Sequence, residues 1–292
     1  MQESAVKQYA VKEGLPVLQP EKLKDEEFLE ALRAFRADLF VVVGFRMLPE
    51  VVWAMPKLGT FNLHAALLPQ YRGAAPINWA VINGENISGV TTFMIDKKID
   101  TGGIILRSEC HVESTDTAGD LHDKLMELGS ELVIETVEGL IQHNVELRVQ
   151  RSFIQGSELL KPAPKITREL QHIDWRDTTK HVYNLIRGLS PYPCAFTELV
   201  QDGGEPIQLK VYFGEMRMDL HGEPGTVLSD GKTYFAIATE DGAIAITDLQ
   251  LAGKKRMDVK SFLLGFRNPT SYVATQGTSK AEIAKAAPHE DE

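Results

Sequence analysis

Apolar and polar positions follow two rhythms along this chain, a helical spacing broken by short apolar runs in the first half and a two-residue alternation in the second. Residues 4–13 (SAVKQYAVKE) carry helical spacing and stop at Gly14, and residues 15–18 follow as a brief extended segment. Between 25 and 35, Phe28, Leu29, Leu32 and Phe35 recur at helical intervals among charges, which predicts an amphipathic helix. Residues 38–43 (DLFVVV) form the continuous apolar run that a strand covered on both faces requires. A short helix near 51–55 and a strand over 60–64 come next, and strand, helix, strand in that order implies a parallel crossover. The pattern then predicts a helix at 75–83, a strand at 89–95, an extended segment at 103–110 and a long helix at 118–141.

Past Lys161-Pro162-Ala163-Pro164 and a helical segment at 178–189, the character changes. Short alternating runs at 195–200, 207–213, 225–228, 235–238 and 243–251 are separated by turns such as Asp202-Gly203-Gly204, Asp230-Gly231 and Asp241-Gly242. Regular short strands with such punctuation predict an antiparallel barrel or sandwich. The expected organisation is an α/β domain with a parallel or mixed sheet over residues 1–160, a linker and helix over 161–193, the β-barrel over 194–275, and a polar, disordered tail over 276–292.

Composition narrows the class of protein. Lys and Arg number 31 against 41 Asp and Glu, a formal net charge of −10, which excludes a polycation that coats nucleic acid indiscriminately. The two Cys, at 110 and 194, lie in neither a CxxC nor a Cys/His cluster, so no disulfide framework or metal site is expected. With no apolar run of membrane-spanning length and no signal-peptide core in the first 14 residues, a cytoplasmic protein without membrane contact is expected.

Candidate chemistry concentrates between Asn62 and Thr101. Alternation along the strand Phe61-Asn62-Leu63-His64 puts the amide and the imidazole on one face, near the strand end where open parallel sheets hold ligands. Ile99-Asp100-Thr101-Gly102-Gly103 supplies a carboxylate in a glycine-marked turn. An amide to donate to an oxyanion, an imidazole to move a proton and a carboxylate to orient it suit acyl transfer to an amine. The bland reading fits the same residues: a histidine beside a Gly-rich turn is commonly structural, and Asn62 and Asp100 serve equally as turn formers. Residue types alone leave both readings open. Arg72-Gly73 suits an anion or a surface ion pair, and the remaining histidines that fall in helical or charged stretches (His111, His122, His143, His172, His181) carry no partner signal. There is no P-loop, GxGxxG, GxSxG or HExxH motif.

The runs FNLHAALLPQYRGAAPINWAVINGE and SGVTTFMIDKKIDTGGII resemble the active-site signature of the folate-dependent formyltransferases, and the similarity continues through LPVLQPEKL, IDW and NLIRGLSPYPCAFTEL. The resemblance implies a Rossmann-like formyltransferase domain followed by an OB-like antiparallel barrel. It implies Asn62, His64 and Asp100 as the catalytic trio, with the oxyanion held by Asn62 and a protonated His64. Ala66, Leu67, Leu68 and Pro69 match the loop that contacts the folate, Ala66 standing where the family usually has Ser. The implied donor is 10-formyltetrahydrofolate, with no metal, and the implied acceptor is the α-amine of initiator methionyl-tRNA. Lys254, Lys255 and Arg256, the densest basic group of a nearly charge-balanced second half, become the candidate tRNA contact. A monomer is expected. Alternatives within the resemblance are a sugar-nucleotide amine as acceptor and a purine-pathway enzyme, which lacks the barrel; the alternative from a different class is an inactive, truncated tRNA-binding remnant. Family members also begin with a further strand-helix-strand unit, so an N-terminally truncated sheet is expected, and Gly44-Phe45-Arg46 departs from the small-aromatic-Gly sequence usual after the Val run.

Overall fold

A computed structural model describes residues 3–44, 47–154, 156–157, 159–279 and 282–283. In the first half, helices α1 (Ala5–Lys12) and α2 (Glu26–Ala34) lead to strand β1 (Phe40–Val43), helix α3 (Glu50–Trp53), strand β2 (Thr60–His64), helix α4 (Pro76–Ile82), strands β3 (Ile87–Met94) and β4 (Ile104–His111), and the long helix α5 (Ala118–Ile141). The four strands lie in the order β1-β2-β3-β4. β1 and β2 run parallel and the remaining pairs antiparallel, so the sheet is mixed.

One face of this sheet is covered over β3 and β4 by α5. The helix starts in a capping box, where Thr117 accepts from the Asp120 N–H and Asp120 reaches back to the Thr117 backbone. It can lie close because Gly129 faces Leu63, where an added Cβ would fall 2.8 Å from Leu63 Cδ2. Its buried Thr136 hydroxyl pairs with that of Thr92 at 2.8 Å. Phe61 and Leu63 are thus committed to packing on one side, and Asn62 and His64 stand on the other.

Two sequence expectations change. The Val run of β1 is not covered on both faces: Val41 and Val43 are 42% and 62% exposed. Val41 and Val43 share a face with their β2 partners Phe61 and Leu63, and α5 packs on that face over β3 and β4 without covering β1, so the two valines have no layer above them. Residues 15–18 join no sheet. Phe45 and Arg46 lie outside the described residues.

The second half contains α6 (Arg168–Gln171), α7 (Thr179–Leu189), β5 (Ala195–Gln201), β6 (Ile207–Arg217), β7 (Val227–Ser229), β8 (Phe235–Ala238), β9 (Ala243–Leu251), β10 (Met257–Asp258), α8 (Val259–Gly265) and β11 (Tyr272–Ala274). Its antiparallel sheet runs β11-β5-β6-β9-β8-β7, with β10 added to β9. A bridge between Thr226 and Val273 and the Ala274 N–H donating to Gly225 O at 2.8 Å draw the two ends together into a nearly closed barrel. Gly225 is required there: its φ is +95°, and a Cβ would approach Ala274 O to 2.7 Å. The barrel core is shared with α7, whose Val182, Ile186 and Leu189 pack with Trp175, Leu209 and Ile244. Gln276, in the segment expected to be a disordered tail, accepts from the Trp175 N–H and donates to Pro224 O, while residues 284–292 lie outside the described residues.

The halves meet where α4 crosses α7. Gly188 sits against Ile82, and Asn78 donates to Gly188 O at 2.8 Å. No helix among the described residues is long and apolar enough to cross a membrane.

Candidate active site

The open face of the first sheet is roofed by the loop between β2 and α4. Thr91, buried in the middle of that face, fixes the loop from below: its hydroxyl donates to Ala66 O at 2.7 Å and accepts from the Leu68 N–H at 3.1 Å. The side chains of Ala66, Leu68 and Pro69 are consequently buried, Leu68 against Phe93, Ile104 and Phe153, and only Leu67 of the four is partly exposed. A ligand on this loop would meet backbone more than side chain.

The loop is held from outside by residues that looked like a linker in the sequence. Tyr71 N–H donates to Lys161 O, Ala163 N–H to Arg72 O and Ala75 N–H to Ala163 O. Gly73 has φ +124°, and a Cβ there would come within 2.5 Å of Ala163 O, so only glycine permits this strap. The Tyr71 phenol donates to Glu85, which also receives Lys161 Nζ at 2.5 Å.

His64 is the centre of the site. Nε2 lies 2.8 Å from Tyr71 O, and because a carbonyl only accepts, Nε2 carries the proton. Nδ1 is thereby left with its lone pair directed toward Asp100, whose Oδ2 is 3.9 Å away, too far for a hydrogen bond but close for charge. Burial pushes the His64 pKa below 6.5; the Asp100 carboxylate and the Tyr71 carbonyl oppose that shift without reversing it, and Arg72 adds to it. The resting imidazole is therefore neutral at pH 7.

Asp100 is supplied from an unexpected direction. The β3–β4 turn leaves the sheet beside Thr60, whose carbonyl accepts from the Ile95 N–H, at the opposite end of β2 from His64. The turn then folds back, with Asp100 at φ +53°, and its Oδ2 accepts from the Gly73 N–H at 3.0 Å. Asp100 thus ties its own turn to the β2–α4 loop. Gln150, 5% exposed, secures the turn from behind: Nε2 donates to Asp100 O at 2.8 Å and to Gly102 O at 3.0 Å. Arg72 donates to Gln150 Oε1 from Nε and Nη2, so it serves this clamp rather than a surface ion pair.

Asn62, also buried, donates from Nδ2 to Val42 O at 2.9 Å, which commits one of its two N–H donors to β1 and leaves the second for a ligand. The structure thus couples His64 to Asp100 directly and puts Asn62 two residues away on the same strand face. Gln150 and the Tyr71 carbonyl were not singled out from the sequence. Neither carries a local signal, because one acts through its backbone and the other arrives from 50 residues beyond the turn it holds.

In the barrel, Lys254 and Lys255 are exposed, whereas Arg256 is ion-paired with Asp248 and lies over the Tyr212 ring at 4.1 Å. The Cys194 thiol is buried and pushed up to about 11, which keeps it from acting as a thiolate nucleophile near neutral pH. Among the described residues no three His, Cys, Asp or Glu side chains converge as a metal site.

Comparison with known proteins agrees with this architecture. Residues 1–137 match the model of the formyl transferase family and residues 165–267 that of the formyl transferase C-terminal domain. A methionyl-tRNA formyltransferase of Parabacteroides distasonis is 55% identical over 273 residues, covering 93% of this chain and 84% of the relative. One from Flavobacterium johnsoniae is 50% identical over 262 residues, with 90% and 82% covered. Among solved structures, HypX from Aquifex aeolicus in complex with tetrahydrofolic acid superposes with a TM-score of 0.60 at 24% identity, covering 81% of this chain and 40% of that one. WlaRD, a sugar 3N-formyl transferase, does so with a TM-score of 0.59 at 22% identity, covering 87% and 83%. The structural matches, at that identity, speak for the fold alone. Two family models that together span most of the sequence, and relatives half identical over nine tenths of it, establish that the chain belongs to the formyl transferase family.

Proposed function

We propose that this chain transfers the formyl group of 10-formyltetrahydrofolate to the α-amine of initiator methionyl-tRNA, in the cytoplasm, for translation initiation. The observation that carries the chemistry is a buried, neutral His64 whose free Nδ1 faces Asp100 at 3.9 Å. The acceptor is chosen by the relatives: proteins named methionyl-tRNA formyltransferase are 50–55% identical, whereas the sugar formyltransferase similarity is one of fold.

In this reading the uncharged amine attacks the formyl carbon, forming a C–N bond and turning the formyl oxygen into an oxyanion. The second Asn62 N–H donates to that oxyanion. His64 enters neutral, not protonated as the family resemblance implied, because burial disfavours the cation until a partner charge develops. Its Nδ1 takes the proton that the attacking nitrogen sheds. The resulting imidazolium lies beside the Asp100 carboxylate, which stabilises it and holds its orientation. When the bond from the carbon to N10 breaks, the imidazolium returns its proton to the leaving nitrogen, so protons balance with no covalent enzyme intermediate, and sequential kinetics follow.

The loop 66–69 flanks His64 and suits the folate, chiefly through its backbone and Leu67. Lys254 and Lys255, whose charges face solvent, suit the tRNA backbone, while Arg256 is already engaged by Asp248. The deciding experiment offers the purified chain 10-formyltetrahydrofolate with charged initiator tRNA, and separately with an aminosugar nucleotide. Formylation of the methionyl amine is expected, and formylation of the aminosugar alone would overturn the reading.

A further inference from the structure

Gln150 is nearly sealed from solvent and has every polar atom engaged. Its amide has two N–H donors, spent on Asp100 O and Gly102 O, and an oxygen with two lone pairs, both taken by Arg72. Such complete satisfaction makes a side chain a rigid spacer, because any movement leaves a buried group unpaired. What it spaces is the turn that carries Asp100. That turn has little freedom on its other side either, since a Cβ on Gly102 would overlap Met94 O at 1.6 Å. Asp100 sits at φ +53° and is not hydrogen-bonded to His64, so no direct bond sets the 3.9 Å gap between them. The gap is set by what holds the turn: the Gly73 N–H on the carboxylate in front and Gln150 on the carbonyls behind.

We propose that Gln150 is a positioning residue for the formyl-transfer site, fixing the Asp100 turn so that the carboxylate faces His64 Nδ1. Arg72 completes the device by orienting the Gln150 amide with its oxygen outward and its two N–H groups toward the turn. The inference rests on the reading of His64 and Asp100 as the catalytic pair, and it extends that pair to a residue 50 positions away. Gln150 touches neither substrate nor reacting atom in this scheme; it acts through Asp100.

The test uses the full chain carrying Gln150→Met, which keeps side-chain length and removes all four hydrogen bonds, alongside Gln150→Asn, which keeps an amide one methylene short of the carbonyls. In the ligand-free protein the titration of the His64 ring is followed by NMR. With the turn loosened, His64 loses part of the Asp100 support and its titration midpoint falls below that of the unsubstituted chain. In an Asp100→Asn background the same Gln150 substitutions move the midpoint little further. In the formyl-transfer assay kcat falls about 10- to 100-fold with KM nearly unchanged, the scale expected for misplacement of a catalytic group by about an ångström. A His64 midpoint unchanged by both substitutions overturns the proposal, as does a fall of equal size with and without Asp100, which would make Gln150 a general packing residue. The titration needs no substrate, so a chain that formylates nothing while its His64 responds as described refutes the proposed function and leaves the positioning role standing.

Discussion

Replacing Asp100 by Asn isolates the charge of the pair from its geometry. Asn is nearly isosteric, it tolerates the left-handed conformation at φ +53° better than most residues, and its carbonyl oxygen still accepts from the Gly73 N–H. The backbone carbonyl that Gln150 holds is unaltered. What disappears is one negative charge 3.9 Å from Nδ1. At an effective dielectric constant of about 20, two unit charges at that distance attract by about 4 kcal/mol, which is support given to the imidazolium and withheld from the neutral ring. If the imidazolium forms on the way to the tetrahedral intermediate, kcat should fall by about 100- to 1,000-fold, since each 1.4 kcal/mol is a factor of ten. The folate KM and the thermal midpoint should change little. Steady-state formylation of charged initiator tRNA by purified Asp100→Asn gives kcat and KM, and thermal unfolding followed by circular dichroism gives the midpoint. A variant that folds normally and keeps close to full kcat would refute the role assigned to Asp100, and with it the claim that His64 becomes charged during transfer.

Other consequences follow from the same geometry. His64 is held neutral with its pKa lowered from 6.5, so below pH 6.5 the unfolded chain binds the proton first; stability is full above that pH and is lost as pH falls toward the folded value. Urea unfolding midpoints should therefore drop between pH 7.5 and 5.5, and by less in His64→Gln; the lowered pKa of half-buried His172 acts in the same direction and remains in both proteins. Gly73→Ala drives a Cβ to 2.5 Å from Ala163 O at φ +124°, which should strip the 161–163 strap from the β2–α4 loop and cost about 1–3 kcal/mol, read as a lowered denaturant midpoint together with reduced kcat. Lys254→Ala with Lys255→Ala should weaken binding of initiator tRNA and flatten the slope of log K against log salt by up to about 2, as expected for two lost phosphate contacts, while Arg256→Ala alone should matter less because Asp248 already neutralises it.

Local patterning was enough to define most elements. The helix at 118–141 has the bounds its periodicity predicts, because its cap and its apolar stripe are both encoded within a few residues. The barrel strands at 235–238 and 243–251 are equally legible, since turns rich in Asp and Gly punctuate a clean alternation. Where β6 extends four residues past its expected end, the alternation is interrupted by bulges between Val211 and Gly214, a feature created by pairing with β9 and absent from the local pattern. The Val run of β1 misled for a related reason: hydrophobicity records what a strand can bury, not which neighbours cover it, and two of its valines face outward.

The sequence by itself determined the family, the alternation that sets Asn62 and His64 on one face, and the glycine-marked turn that carries Asp100. Only the tertiary structure decided that this turn folds back along β2 to bring the carboxylate to 3.9 Å from the imidazole, that His64 is neutral at rest, and that a supposed linker straps the β2–α4 loop while Gln150 clamps the Asp100 turn. The division has a physical cause. Strand periodicity and turn preference act over a few residues, but a pKa depends on burial and on charges that arrive from distant segments, and a backbone carbonyl used as a hydrogen-bond acceptor leaves no trace in residue type.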